Sequence, residues 1–235
     1  MARPMQDTGI GGLIPEAWKP IYHNPLASTS DIAGFQMEGE GAVSFPLQRM
    51  RLESTIHAEA GQQANVVLWC PEEFPADLAV SWNFRPLREP GLAILFVAAK
   101  GEGGKDLFDS TLARRTGEYD QYHHGQIDTY HISYFRRRWV EEREFHTCNL
   151  RKSYGFHLVT QAADPLPDVS DMTEPYRMLV VKRGPMLFFA INELPIFTWI
   201  DDGETYGPLL TGGKIGFRQM APLIAEYSNL TVFGQ

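Results

Sequence analysis

Tyr176-Arg177-Met178-Leu179-Val180-Val181-Lys182-Arg183, then Gly184-Pro185, then Met186-Leu187-Phe188-Phe189-Ala190-Ile191-Asn192 is the stretch that decides the fold. Two apolar runs rich in Val, Leu, Ile and Phe are parted by a glycine, which accepts positive φ, and a proline, which cannot continue a ladder. This reads as a tight connection between two antiparallel strands. Asn192-Glu193 turns the chain back into Pro195-Ile196-Phe197-Thr198-Trp199, and Gly212-Gly213 precedes another run, Lys214–Gln219. The C-terminal third is therefore a meander of antiparallel neighbours.

Working outward, the same alternation of β-rich runs and Gly, Pro, Asp and Asn punctuation extends back to Ala42. Strands are expected near 42–46, 50–56, 65–70, 77–86, 92–98, 126–137, 145–152, 156–162, 176–183, 186–192, 195–200, 214–219 and 227–233. Helical periodicity is weak, and helix is expected only in short pieces, around 107–115. Many short strands with regular turns make an all-β, two-sheet antiparallel sandwich. Two longer irregular segments, 100–125 and 163–175, interrupt it, and loops of that length in a compact domain usually carry function. No domain boundary, repeat or low-complexity tract appears, so residues 1–235 read as one domain.

The closing strands resemble those of laminin-G-like and 3-keto-glycoside hydrolase-like sandwiches. They carry Gly213-Lys214-Ile215-Gly216-Phe217-Arg218-Gln219 and Tyr227-Ser228-Asn229-Leu230-Thr231-Val232, with Arg218 where glutamine often stands in those relatives. A closer resemblance spans nearly the whole chain. His23-Asn24-Pro25-Leu26-Ala27, Met37-Glu38-Gly39, Thr129 to Arg137, Phe145 to Ser153 and Gly155-Phe156-His157-Leu158 look like the YesU-like family. That resemblance implies a concanavalin A-like, galectin-like jelly roll. It also implies kinship with products of bacterial pectin or rhamnogalacturonan utilisation clusters, and it is silent on the reaction.

Composition narrows the partners. The 235 residues are 43% hydrophobic and 21% charged, enough to bury a core without staples. The formal net charge of −8 repels phosphate backbones, so nucleic acid is not expected. An anionic sugar is repelled as well unless a local basic cluster overrides the global field. Cys70 and Cys148 have neither disulfide nor metal-site spacing and read as buried free thiols. Met1 to Pro15 lacks the apolar core of a secretory signal, and no run approaches the ~20 apolar residues of a membrane span. A cytoplasmic location with no membrane partner is the expectation. A homo-oligomer is compatible with the sequence, and no cofactor is expected.

The most informative segment for chemistry is 127–137. Period-two alternation puts Thr129, His131, Ser133, Phe135 and Arg137 on one face, and Asp128, Tyr130, Ile132, Tyr134 and Arg136 on the other. The first set suits an open concave sheet. His131 titrates near neutrality and is the candidate proton-transfer group, with Tyr134 and His146 as catalytic companions. Matching polar positions on neighbouring strands supply candidate substrate contacts: Asn83 and Arg85, Asn149 and Arg151, Ser133, and Arg218. Arg137, Arg151 or Arg218 can bind a uronate carboxylate through two hydrogen bonds. His123 lies in Tyr119-Asp120-Gln121-Tyr122-His123-His124-Gly125, a loop dense in sugar-binding and proton-carrying groups.

Glu118 to His123 partly mimics the E-x-D-x-x-E strand of laminarinase-like hydrolases, but His123 replaces the final glutamate. A retaining mechanism lacks its acid/base there. His123, His124 and His131 have no recognised zinc spacing, so no metal is expected. Residues and resemblance together lead to an oligosaccharide ligand, plant cell-wall-derived and acidic in the manner of pectin, bound on the concave sheet, with cleavage there by a lyase or a glycoside hydrolase as the catalytic reading. The alternative is a non-catalytic, galectin-like sugar-binding module.

Overall fold

The computed structural model describes residues 12–235. The strands in chain order are β1 (Lys19–Asn24), β2 (Gln36–Glu38), β3 (Gly41–Ser44), β4 (Met50–Ser54), β5 (Val66–Trp69), β6 (Leu78–Arg88), β7 (Leu92–Gly101), β8 (Ile127–Tyr134), β9 (Thr147–Lys152), β10 (His157–Ala163), β11 (Tyr176–Arg183), β12 (Met186–Ile191), β13 (Leu194–Ile200), β14 (Lys214–Met220) and β15 (Ile224–Gly234). Every pairing between these strands is antiparallel. One sheet has the order β13-β12-β11-β6-β15-β4-β3 with β1 added to β15, and the other β10-β9-β8-β7-β14-β5-β2.

The C-terminal meander forms as its turns dictate. Ile191 pairs Leu194 across a two-residue loop, and Asn192 and Glu193 both have positive φ, 46° and 63°. That is the primed turn whose twist matches a hairpin. Strands β1 and β2 escaped the sequence reading: β2 is three residues long, and β1 carries Pro20, where its register on β15 slips. Proline is tolerated in a peripheral strand at such an irregularity.

No helix forms over 107–115. The Asp106 and Asp109 carboxylates instead accept the N–H groups of Phe108 and Thr111, building local turns that compete with a helix. Among the described residues helix appears only as α1 (Asp120–His123) and α2 (Val140–Glu144) and in short 3-10 turns.

The main core lies between the sheets, where alternate residues interdigitate. Trp82 and Phe84 of β6 meet Tyr134 of β8 and Phe217 of β14, with Phe84 edge-on to Tyr134 at 4.9 Å between ring centres. The opposite, outer face of the seven-stranded sheet is also apolar in its middle. There Trp69, Phe96 and Tyr122 stack under the 102–125 segment, with Leu107 and Ile127 packed beside them. The irregular segment is thus a cover docked on the sheet, and it leaves the β8–β9 side of that face open. Both cysteines are buried free thiols, and burial pushes their pKa values up.

Candidate functional site

Register assembles the site from strands distant in sequence. On the outer face, one rung runs Arg218–Ile94–Ser133–Asn149 across β14, β7, β8 and β9. The next runs Gly216–Phe96–His131–Arg151. Sequence alternation thus brings Ser133, Asn149, Arg151, Arg218 and His131 onto one face.

Ser133, Asn149 and Arg151 line an open cleft of about 270 Å³. Its apolar floor includes Ile94, and its walls carry Tyr119, Trp139 and Phe156, with Arg136 and Gln62 between them. Gln161 brings its amide to 2.7 Å from that of Asn149. Arg151 lies flat on the Phe156 ring, 3.7 Å from its centre, and donates to the Phe156 carbonyl at 2.9 Å. No carboxylate lies within ion-pairing distance of Arg151 among the described residues.

Arg218 is fully buried beneath Tyr119, its guanidinium carbon 4.4 Å from the ring centre. Its Nη2 reaches the Gly117 carbonyl at 3.2 Å, while Nε and Nη1 have no hydrogen-bond partner. Burial lowers its pKa to about 10, opposed by the Tyr119 and Tyr122 hydroxyls. A cationic group with neither carboxylate nor full hydrogen bonding is expensive to bury, and it lies under the Tyr119 wall of a cleft whose own lining carries Arg136 and Arg151 beside Glu141 and Glu142.

His131 is present on this face but closed off. Its Nδ1 lies 3.1 Å from the Tyr119 hydroxyl and its Nε2 3.0 Å from the Ser153 hydroxyl. It is fully buried. Burial first, then the neighbouring His123, Arg218 and Arg151 charges, holds its pKa well below the usual value. It is therefore a neutral, saturated imidazole, and Tyr119 is the group that stands between it and the cleft.

Several sequence candidates fall elsewhere. Tyr134 points between the sheets and accepts from Trp82 Nε1 at 3.3 Å, so it is a core residue with no access to ligand. Asn83 and Arg85 belong to β6 in the other sheet, on the face away from the core, and cannot join the cleft. His146 precedes β9 and is not among the residues that line the cleft.

Arg137 is displaced by a backbone event. Phe135 adopts φ 48°, which ends β8 and breaks the alternation. Phe135 turns into the core, Arg137 follows it to pair with buried Asp164 at 3.3 Å, and Arg136 takes the cleft position. Arg136 is held by Glu142 at 2.7 Å. The other Glu142 oxygen accepts the N–H groups of Arg138 and Trp139, which poses Trp139 at the cleft wall.

His123 sits on α1 with its ring 4.6 Å from that of Phe156 and 4.8 Å from that of Tyr119, behind the cleft wall. Burial, then the adjacent His124, lowers its pKa to about 4. Sequence reasoning pointed to the loop that carries Tyr119 without singling that residue out, and it missed Arg136, Gln62 and Phe156 as site residues. Gly117 and Gly155, at φ 94° and 98°, mark the turns that present Tyr119 and Phe156, and they were the available signal.

Two antiparallel sheets packed face to face, with a polar cleft on one outer face, define a concanavalin A-like, galectin-like jelly-roll sandwich. The chain belongs to the family described as Domain of unknown function (DUF1961), whose pattern matches residues 19–232. It is 52% identical over 212 residues to the uncharacterized protein YesU of Bacillus subtilis (strain 168), covering 90% of this chain and 94% of that one. A crystal structure of a Bacillus subtilis protein of unknown function with a galectin-like fold superposes with a TM-score of 0.87 at 50% identity, over 92% of this chain and 97% of the other. The carbohydrate binding module CBM66 of Bacillus subtilis superposes with a TM-score of 0.54 at 9% identity, over 86% and 96%. This last likeness is one of fold.

Proposed function

We propose that this protein binds an acidic oligosaccharide, of the kind released from pectin, in the cleft on the outer face of the seven-stranded sheet. The observation that carries the reading is Arg151: a guanidinium in an open cleft, braced on Phe156, without a carboxylate partner among the described residues. A uronate carboxylate fits it through two parallel hydrogen bonds. Ser133, Asn149 and Gln62 offer hydroxyl and amide groups to sugar hydroxyls. Trp139 and Phe156 offer ring surface to the apolar faces of the sugar. The fold shared with a carbohydrate binding module agrees with this use of the sheet.

Binding without turnover is the better-supported mode, because His131 is neutral, saturated and covered. Cleavage is the second reading, and one contact favours it: the Tyr119 hydroxyl touches His131 and belongs to a cleft wall. In an elimination Tyr119 would meet the substrate proton and His131 would only position it.

The test is a panel of neutral and acidic plant oligosaccharides, followed by thermal shift, reducing ends and the absorbance of unsaturated uronates. Saturable stabilisation by acidic members, weakened in Arg151→Ala, is expected. Equal response to neutral and acidic sugars, or none to either, would overturn the reading. New product that disappears in Tyr119→Phe would establish cleavage.

A further inference from the structure

We propose that Asp120, His123 and His124 form a binding site for a divalent cation of the zinc class, on the single turn of α1 and the residue that caps its C-terminal end. These residues stand at i, i+3 and i+4, so their side chains emerge from one side of the turn. His123 Nδ1 and His124 Nδ1 are 2.7 Å apart, and Asp120 Oδ1 lies 3.3 Å from the second and 3.8 Å from the first. Tetrahedral ligands at zinc bond lengths are separated by about 3.3 Å, so one separation already fits and the other two need to change by about half an ångström, the ion replacing the hydrogen bond between the two imidazoles. Two imidazole nitrogens and one carboxylate oxygen favour zinc, nickel or copper over magnesium or calcium, which prefer all-oxygen shells.

The surroundings point to a cation independently of that triangle. His124 lines a cavity of about 490 Å³ whose walls also carry Glu102 and Asp128. Neither carboxylate makes an ion pair among the described residues, so the cavity holds negative charge that a cation would offset. The turn itself is fixed before any ion arrives. Gly155 N–H donates to the His123 carbonyl at 2.6 Å, His124 N–H to the Asp120 carbonyl at 2.8 Å, and the Tyr122 hydroxyl to Glu38 at 2.8 Å. His131 takes no part, since both its nitrogens are engaged by Tyr119 and Ser153. Three protein ligands leave a fourth position for water or a ligand oxygen.

The experiment is calorimetric titration of zinc, nickel and magnesium chlorides into the full-length, chelator-treated protein, repeated with His124→Ala and Asp120→Asn. Both side chains are well exposed, so these variants should keep the wild-type melting temperature, measured in parallel. One equivalent of zinc and of nickel should bind with no magnesium heat, and affinity should fall at least tenfold in each variant. A cobalt titration should give visible bands that vanish in His124→Ala. No saturable zinc heat in the wild type, or zinc heat unchanged in both variants, would overturn the assignment. Oligosaccharide binding by Arg151 is read separately, so either result leaves the other standing.

Discussion

Arg151 and His131 are neighbours on one rung of the sheet, yet the structure gives them opposite characters. Arg151 reaches the open cleft and borrows only a ring face and a carbonyl, so its charge is available to a ligand. Truncating it to Ala should weaken an acidic oligosaccharide by roughly 10- to 100-fold, the worth of a charge-assisted hydrogen-bond pair, while neutral sugars lose little. Titration of paired acidic and neutral ligands checks this, and a uniform loss on both would mark Arg151 as structural. His131 predicts a pH effect on stability instead. Its folded pKa is depressed by burial, so below about pH 6.5 the unfolded chain takes a proton that the folded one refuses. Stability is thus lost as pH falls, with this one group contributing up to about 1.4 kcal/mol per pH unit. Urea unfolding at pH 7 and 5.5 should show a shallower drop for His131→Gln than for wild type. Equal drops would mean that the folded protein protonates His131.

At the scale of the element, β8 and β14 show what a sequence can and cannot convey. Alternation along β8 correctly placed His131 and Ser133 together and Tyr130 and Ile132 opposite them, because period two follows from the pleat alone. It failed after Tyr134, where the positive φ of Phe135 swapped Arg137 for Arg136. A backbone kink at an ordinary aromatic residue leaves no mark in composition or spacing. The misplacement of Asn83 and Arg85 has a different cause. Period two tells which residues share a face, but not which sheet a strand joins, and β6 pairs with β11 and β15. In β14, Gly216 is required by a close approach: a Cβ there would stand 2.4 Å from the Trp69 ring that stacks on Phe96. Gly216→Ala should cost about 1–3 kcal/mol through overpacking. For a chain of this size that is a melting-temperature drop of roughly 2–12 °C. An unchanged melting temperature would show that the 102–125 cover yields without strain.

For the whole molecule, the decisive question is whether sandwich and cover are one cooperative unit. The main core fills the space between the sheets, and a second cluster of Trp69, Phe96, Tyr122 and Leu107 lies on the outer face. The clusters do not share side chains, yet they share strands: β5, β7 and β14 send alternate residues to each. The cover is also tied to distant parts by charge, through Arg115 with Glu38 of β2 at 2.8 Å and Lys214 of β14 with Asp106 at 3.1 Å. Losing the sheet therefore removes the floor of the cover, and losing the cover exposes Arg218, Trp69 and His131 to water. One transition is expected by calorimetry, with an enthalpy on the order of 160 kcal/mol from the usual value per residue. It should coincide with far-ultraviolet circular dichroism and with tryptophan fluorescence, which sees Trp82 in the core and Trp69 under the cover. An earlier fluorescence step, at constant circular dichroism, would mean that the cover opens on its own and that the cleft wall carrying Tyr119 is a moving part. Coincident curves would mean that the wall is as rigid as the sheet it stands on, and that the cleft is built before any sugar reaches it.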